Sequence, residues 1–327
     1  VDLMNLEGLC GTIASAVAVV AVGARTQWDV GGRLARDCVE VEAPAGIVTY
    51  EPDDLTITVG AGTRCADLRA ALAEHGQECP LDPRDDDATI GGIFAAGLSG
   101  PRRLRHGPLR DQALEVRFVT ADGRLVKGGG PTVKNVTGYD LVRLLTGSLG
   151  TLGVLTQLTL RCRPRAEHAR WVRVDDELPA FFRPSSLLWN GEHVDVLLEG
   201  AETDVESQAA GRPASDGANL PDGPHRGRIS VAPARVRDLG EALRALDGLR
   251  WAAELGVGTV HVAAESGHRL REARAAAHDH DGWMLREAGG DADDDGFGRP
   301  LPNLDVMRRI KRAFDPDGKL SPGRLPL

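Results

Sequence analysis

The stretch Ala88-Thr89-Ile90-Gly91-Gly92-Ile93-Phe94-Ala95-Ala96-Gly97-Leu98-Ser99-Gly100 decides the fold. Two adjacent glycines open a run of small side chains, and Ser99-Gly100-Pro101 closes it. A helix so sparsely covered lets a bulky, flat ligand lie against backbone. A basic segment follows, with Arg102, Arg103, Arg105 and His106, then Gly107 and Arg110-Asp111. Taken alone, the pattern also fits a close-packed helix beside a solvated basic loop. The blocks on either side of it settle the choice.

Downstream stands Val133-Lys134-Asn135-Val136-Thr137-Gly138-Tyr139-Asp140, then Gly147-Ser148-Leu149-Gly150-Thr151-Leu152-Gly153-Val154. Glycines at a spacing of three mean repeated close approach of backbone to something, which a diphosphate or the edge of an isoalloxazine would fit. Upstream, Val22-Gly23-Ala24-Arg25-Thr26-Gln27 follows an apolar run. A turn of this kind presents successive backbone N–H groups to a phosphate. A further glycine turn, Val59-Gly60-Ala61-Gly62-Thr63-Arg64-Cys65, sits between a strand and a helix. A dinucleotide-binding fingerprint needs a small residue where Cys65 stands, so an ordinary strand-to-helix turn is the better reading.

Around these blocks the first half alternates strands and short helices. The run 13–22 reads as a buried strand, being too short for a bilayer span of about 20 residues. Residues 64–75 read as a helix with Cys65, Leu68 and Leu72 on one face. Residues 114–120 and 124–127 form a hairpin about Asp122-Gly123, and 154–162 is another strand. Past Pro164 the texture changes: weaker strands, a helix at 236–246 and a long polar stretch at 206–228. A closing amphipathic helix carries Leu304, Met307, Ile310 and Phe314, with Asn303 as its expected N-cap.

The 327 residues are 42% hydrophobic but only 4% aromatic, which fits a sizeable aliphatic core. A formal charge of −9 argues against a nucleic-acid partner, which needs a basic patch. The five cysteines have no C-x-x-C spacing, so neither a disulfide framework nor a zinc or iron–sulfur site is expected. The Asp291-x-Asp293-x-Asp295-Gly296 run imitates a calcium loop, but Pro302 stands where the closing glutamate belongs. No metal is expected, and no direct membrane insertion; the reading is a cytoplasmic protein, peripheral to a membrane only through partners.

The four ordered blocks resemble the FAD-binding domain of the vanillyl-alcohol oxidase and p-cresol methylhydroxylase superfamily. Their wording is similar to the E subunits of bacterial glycolate oxidase: Ala-Thr-Ile-Gly-Gly, Arg-His-Gly-Pro-Leu-Arg-Asp, Val-Lys-Asn-Val-Thr-Gly-Tyr-Asp and Gly-Ser-Leu-Gly-Thr-Leu-Gly. Phe314-Asp315-Pro316 and Ser321-Pro322-Gly323-Arg324-Leu325 resemble that family's C-terminal signature.

The resemblance implies an α+β fold: a two-subdomain FAD-binding domain over 1–165, a smaller α/β cap over 166–289, and a helix and tail over 290–327 returning to the FAD domain. It implies that Gly23, Ala24, Arg25, Thr26 and Gln27 cradle the pyrophosphate. Pro80, Leu81 and Asp82 would lie along the flavin, and Thr89, Gly91, Gly92, Ser99 and Gly100 would contact the diphosphate and ring. Gly107, Arg110 and Asp111 would close that loop, while Gly150, Gly153 and Val154 would hold the adenosine side. Ser321 stands where relatives often carry asparagine.

Two departures bear on chemistry. Covalent members place a linking histidine in the first loop; here 23–28 has neither histidine nor cysteine, implying non-covalent FAD. D-type subunits carry a late His-x-Gly-Asp-Gly-Asn-x-His segment; here Thr259-Val260-His261-Val262-Ala263 retains one histidine and no acid partner in sequence. Catalytic candidates are therefore only His106 and His261. The function implied is an FAD-binding subunit supporting oxidation of a small 2-hydroxy acid, with a D-type FAD subunit and an iron–sulfur subunit as partners. A self-sufficient FAD oxidase and a scaffold with a decayed flavin site are the alternatives.

Overall fold

The structure is a computed structural model, and it describes residues 3–130, 139–217, 220–291, 294–298 and 301–327. The block Val133-Lys134-Asn135-Val136-Thr137-Gly138 lies outside the described residues.

The first half is built on a five-stranded antiparallel sheet. Its order is Ile47–Glu51, Thr56–Gly60, Val154–Arg161, Ala113–Val119, Leu125–Gly129. The central strand Val154–Arg161 is buried on both faces, where alternation alone would expose every second residue. One face is covered by the helices Cys65–Ala73, Ile90–Ala96 and Leu141–Leu145, through Leu68, Leu72, Ile93, Phe94 and Leu145. Because the sheet is antiparallel, the Gly60-Ala61-Gly62 turn is no dinucleotide-binding fingerprint. Its glycines lie tight against the Pro44 and Ala43 carbonyls.

The N-terminal segment corrects the reading of 13–22 as one strand. It divides into the helix Leu3–Ser15 and the strand Val19–Val22. Leu6, Leu9, Cys10 and Ile13 fall at helical spacing and pack with Val119 and Val154. That period begins upstream of the apolar run and is easily lost inside it. Val19–Val22 pairs in parallel with Val39–Glu42, and Leu320 of the C-terminal tail bridges to Val19.

Past residue 165 stands a seven-stranded antiparallel sheet. Its order is His168–Asp175, His193–Gly200, Ser186–Trp189, Arg250–Glu254, Thr259–Ala264, His225–Ser230, Trp283–Ala288. The polar stretch 206–228 is only partly a loop, since it runs from within the helix Glu202–Ala209 into the strand His225–Ser230. The helix Gly267–Asp279 escapes a reading by apolar periodicity. Its buried face is Leu270, Ala273, Arg274 and Ala277, too poor in large apolar side chains to stand out.

The helix Leu304–Phe314 packs back on the first sheet, with Phe314 stacked on Phe118 at 6.4 Å. Asn303 precedes it but does not cap it through its side chain; its backbone is left-handed instead, at φ 60°.

Candidate functional site

A cavity opens where the strand Val19–Val22 ends. One wall is the loop 23–28, with Arg25 in the left-handed region at φ 59°. The opposite wall is Thr89, Gly91 and Gly92 at the start of Ile90–Ala96. Gly150 and Gly153 close one end, with Ser321 and Arg324 of the C-terminal tail.

The two walls differ in what they can offer a ligand. At the helix start the amides are already used: Ile90 donates to the Thr63 carbonyl at 2.8 Å, Gly91 to Ala61 at 2.7 Å, and Gly92 to the Thr89 hydroxyl at 3.2 Å. This wall supplies shape. Among the described residues, the amides of Ala24, Arg25, Thr26 and Gln27 donate to no protein acceptor. This wall therefore supplies donors, in the concave arrangement that takes anions. The Gln27 side-chain oxygen Oε1 is buried with no hydrogen-bond partner, an arrangement that calls for a donor from a bound molecule. Trp28 is held between two guanidiniums, Arg25 at 4.5 Å and Arg324 at 4.7 Å from its ring centre.

A second cleft shares Thr26, Gln27 and Val30 with the first and lies under the seven-stranded sheet. Asp82 and Gly100 reach it from the first sheet's side, and Arg84, Arg226, Arg228 and Glu287 line it. Arg102 fastens the two halves: it bonds both oxygens of Asp82, at 2.7 and 2.9 Å, and reaches Glu78 and Glu199. Burial alone would raise the Glu199 pKa, but His106, Ser185 and Arg102 bring it down to about 2.

The predicted residues thus separate into groups. Gly23, Ala24, Arg25, Thr26, Gln27, Thr89, Gly91, Gly92, Gly150 and Gly153 meet on the first cavity; Asp82 and Gly100 face the second. Pro80, Leu81, Ser99, Gly107, Arg110, Asp111 and Val154 line neither. Leu81 and Val154 are core, and the Ser99 hydroxyl is used in accepting from the Leu109 amide at 3.0 Å. Gly107 ends the short helix Arg103–His106, and Arg110 and Asp111 lie in the turn Leu109–Asp111.

His106 also lines neither cleft, being placed between Arg163 and Glu199. His261 does have an acid partner, contrary to the sequence reading. Its Nε2 lies 2.7 Å from Glu254 Oε1, across the antiparallel pair Arg250–Glu254 and Thr259–Ala264. Both side chains are fully buried or nearly so, and burial lowers the His261 pKa. Trp28, Arg84, Arg228 and Glu287 were not singled out from sequence, and Arg324 was named only as part of the C-terminal signature, with no role.

A donor-rich turn facing a small-residue helix start, with an orphaned buried amide oxygen between them, suits a dinucleotide flavin. Residues 13–129 match the model of the FAD binding domain. The chain belongs to the FAD-binding family of the glycolate oxidase E subunits. It is 30% identical to glycolate oxidase subunit GlcE of Escherichia coli (strain K12), covering 98% of this chain and 96% of that one. Over 115 residues it is 40% identical to a D-lactate dehydrogenase of Archaeoglobus fulgidus, covering 35% of this chain and 26% of that one. Over 122 residues it is 36% identical to glycolate oxidase subunit GlcD of Bacillus subtilis (strain 168), covering 37% and 26%. A solved structure of alkyldihydroxyacetonephosphate synthase superimposes with a TM-score of 0.67 at 13% identity, over 97% of this chain and 74% of that one, and shows the same fold. FAD is the cofactor, and the chain is an FAD-dependent oxidoreductase.

Proposed function

We propose that this chain is the FAD-binding subunit of a glycolate oxidase-like complex that oxidises a small 2-hydroxy acid. The observation that carries the reading is the pairing of unused amides at 24–27 with the orphaned Gln27 oxygen, across from Gly92. FAD held there supplies the two-electron redox chemistry; the protein sets its position and potential. The loop 23–27 binds the diphosphate, Gln27 donates or accepts at the flavin, and Arg102 with Asp82 holds the cleft wall beside it. The segment 166–289 acts as the cap, and 290–327 closes the cavity through Ser321 and Arg324.

FAD is bound non-covalently in this reading: no histidine or cysteine is among the described residues lining either cleft. The partners are a D-type FAD subunit and an iron–sulfur subunit, which carry electrons onward. Among the described residues no helix is long and apolar enough to cross a membrane; the chain works in the cytoplasm and meets a membrane through those partners.

The test is anaerobic mixing of the purified flavoprotein with glycolate or D-lactate while flavin bleaching is followed. Slow bleaching alone, with turnover restored by the D-type and iron–sulfur subunits of the same organism, supports the complex. Rapid bleaching without partners favours a self-sufficient dehydrogenase.

A further inference from the structure

The lining of the second cleft sets five arginines against five carboxylates, but they pair unevenly on its inner wall. Arg84 and Arg228 converge on a single carboxylate, Glu287, at 3.4 and 2.9 Å. Arg226 is matched by Asp222 at 2.5 Å, Arg69 by Asp86, and Arg102 by Asp82, Glu78 and Glu199. Asp85 also lines the cleft, but it is exposed and its Oδ1 accepts from the Asp87 amide. On the inner wall two guanidiniums therefore share one carboxylate. Arg228 cannot turn away, because its Nη1 donates to the Ser99 carbonyl at 2.7 Å. Arg84 is tied too, its Nη1 donating to the Pro221 carbonyl at 3.1 Å, but a quarter of its side chain is exposed against 4% for Glu287, so it is the guanidinium a ligand can meet.

Beside the Pro221 carbonyl, His261 also holds Arg84. An arginine only donates, so the contact of Arg84 Nη2 with His261 Nδ1, at 3.4 Å, makes Nδ1 the acceptor. Nε2 then carries the proton and donates to Glu254 at 2.7 Å. Burial keeps the imidazole from taking a second proton. The histidine is a neutral strut in one tautomer, and Glu254 anchors it.

We propose that Arg84, positioned by His261 and Glu254, forms with Arg228 a binding site for the carboxylate of a small monoanionic acid beside the cofactor cavity. Desolvation supports this: burial and the neighbouring Arg228 and Arg226 disfavour the Arg84 charge, against the pull of Glu287. An entering carboxylate relieves that cost, and a planar guanidinium takes it through two parallel hydrogen bonds. The inference deepens the function proposed above and rests on it for the identity of the acid. It adds that this chain, not only its D-type partner, recognises a carboxylate.

The probes are oxamate, a monoanion of similar size to glycolate that cannot be oxidised in this way, and oxamide, its neutral counterpart. Calorimetric titration of the purified protein should show saturable binding of oxamate and none of oxamide. Arg84→Met should weaken oxamate at least tenfold, with FAD content and melting temperature close to wild type. His261→Gln keeps one donor and one acceptor and should retain oxamate binding, whereas His261→Leu should lose it. If Arg84→Met does not fold, the His261 pair and the oxamate–oxamide comparison still decide. Oxamide binding as well as oxamate, no oxamate binding to flavin-loaded protein, or equal affinity in folded Arg84→Met overturns the site. Protein that takes oxamate but never FAD overturns the function above while leaving this site standing.

Discussion

A β-carbon placed on Gly92 meets only the Thr89 hydroxyl, at 3.1 Å, and otherwise projects into open cavity. Thr89 itself accepts from the Gly92 amide, so the residue that caps the helix Ile90–Ala96 also fixes where the missing side chain would point. Gly91 is different in kind: a β-carbon there lies 2.9 Å from the Ala61 side chain and 3.0 Å from its carbonyl. One glycine borders open cavity and its neighbour is packed against the fold.

Gly92→Val should therefore give folded, soluble protein that emerges colourless from purification. Gly91→Val should lower thermal stability even without cofactor, through contact with backbone that cannot move aside. Melting curves with released-flavin assays separate the two. A fully flavinated Gly92→Val would mean that the cofactor lies elsewhere.

Non-covalent binding predicts a simple partition. Acid precipitation of the purified protein should leave all yellow colour in the supernatant. Colour retained in the pellet would require a covalent link, which no lining residue among those described is chemically suited to form through histidine or cysteine.

Gln27→Leu removes the orphaned oxygen while keeping bulk. If that oxygen meets a donor on FAD, the lost hydrogen bond costs about 1–3 kcal/mol, so FAD should bind roughly five- to a hundredfold more weakly by that same scale. An unchanged dissociation constant in fluorescence titration would place Gln27 outside the contact.

Glu199 predicts an acid-sensitive join between the two sheets. Its folded pKa, about 2, lies below the ordinary 4.5. Between those values the unfolded chain takes up a proton that the folded chain refuses. This contribution is whole above about pH 4.5 and is lost as pH falls toward about 2. Glu199→Gln should lower stability at neutral pH and flatten that part of the acid limb. Denaturation midpoints measured across this window should show parallel slopes if the account is wrong.

The lining of the first cavity was legible in the sequence because its walls are local. Thr89 to Gly92 and Gly23 to Gln27 each bring their own backbone to its wall, and a glycine pattern records that directly. The second cleft left no such mark. Arg84, Arg228 and Glu287 come from a loop and two strands far apart in the chain and meet only through pairing of the strands His225–Ser230 and Trp283–Ala288. His261 seemed to lack an acid because Glu254 sits on the neighbouring strand, seven positions back. The N-terminal helix was hidden by the apolar run it leads into, and Gly267–Asp279 by a buried face made largely of alanine. The Ser99 hydroxyl and the Val154 side chain fall inside cofactor blocks but are taken up by the fold, since a motif marks a neighbourhood and not the direction of each side chain.

The most direct measurement is the visible absorption spectrum of the protein after gel filtration, with flavin quantified per chain. The account predicts a two-banded flavin spectrum, one FAD per chain, and its loss in Gly92→Val with the melting transition intact. A folded wild-type protein that is colourless and takes up no FAD on reconstitution would contradict it.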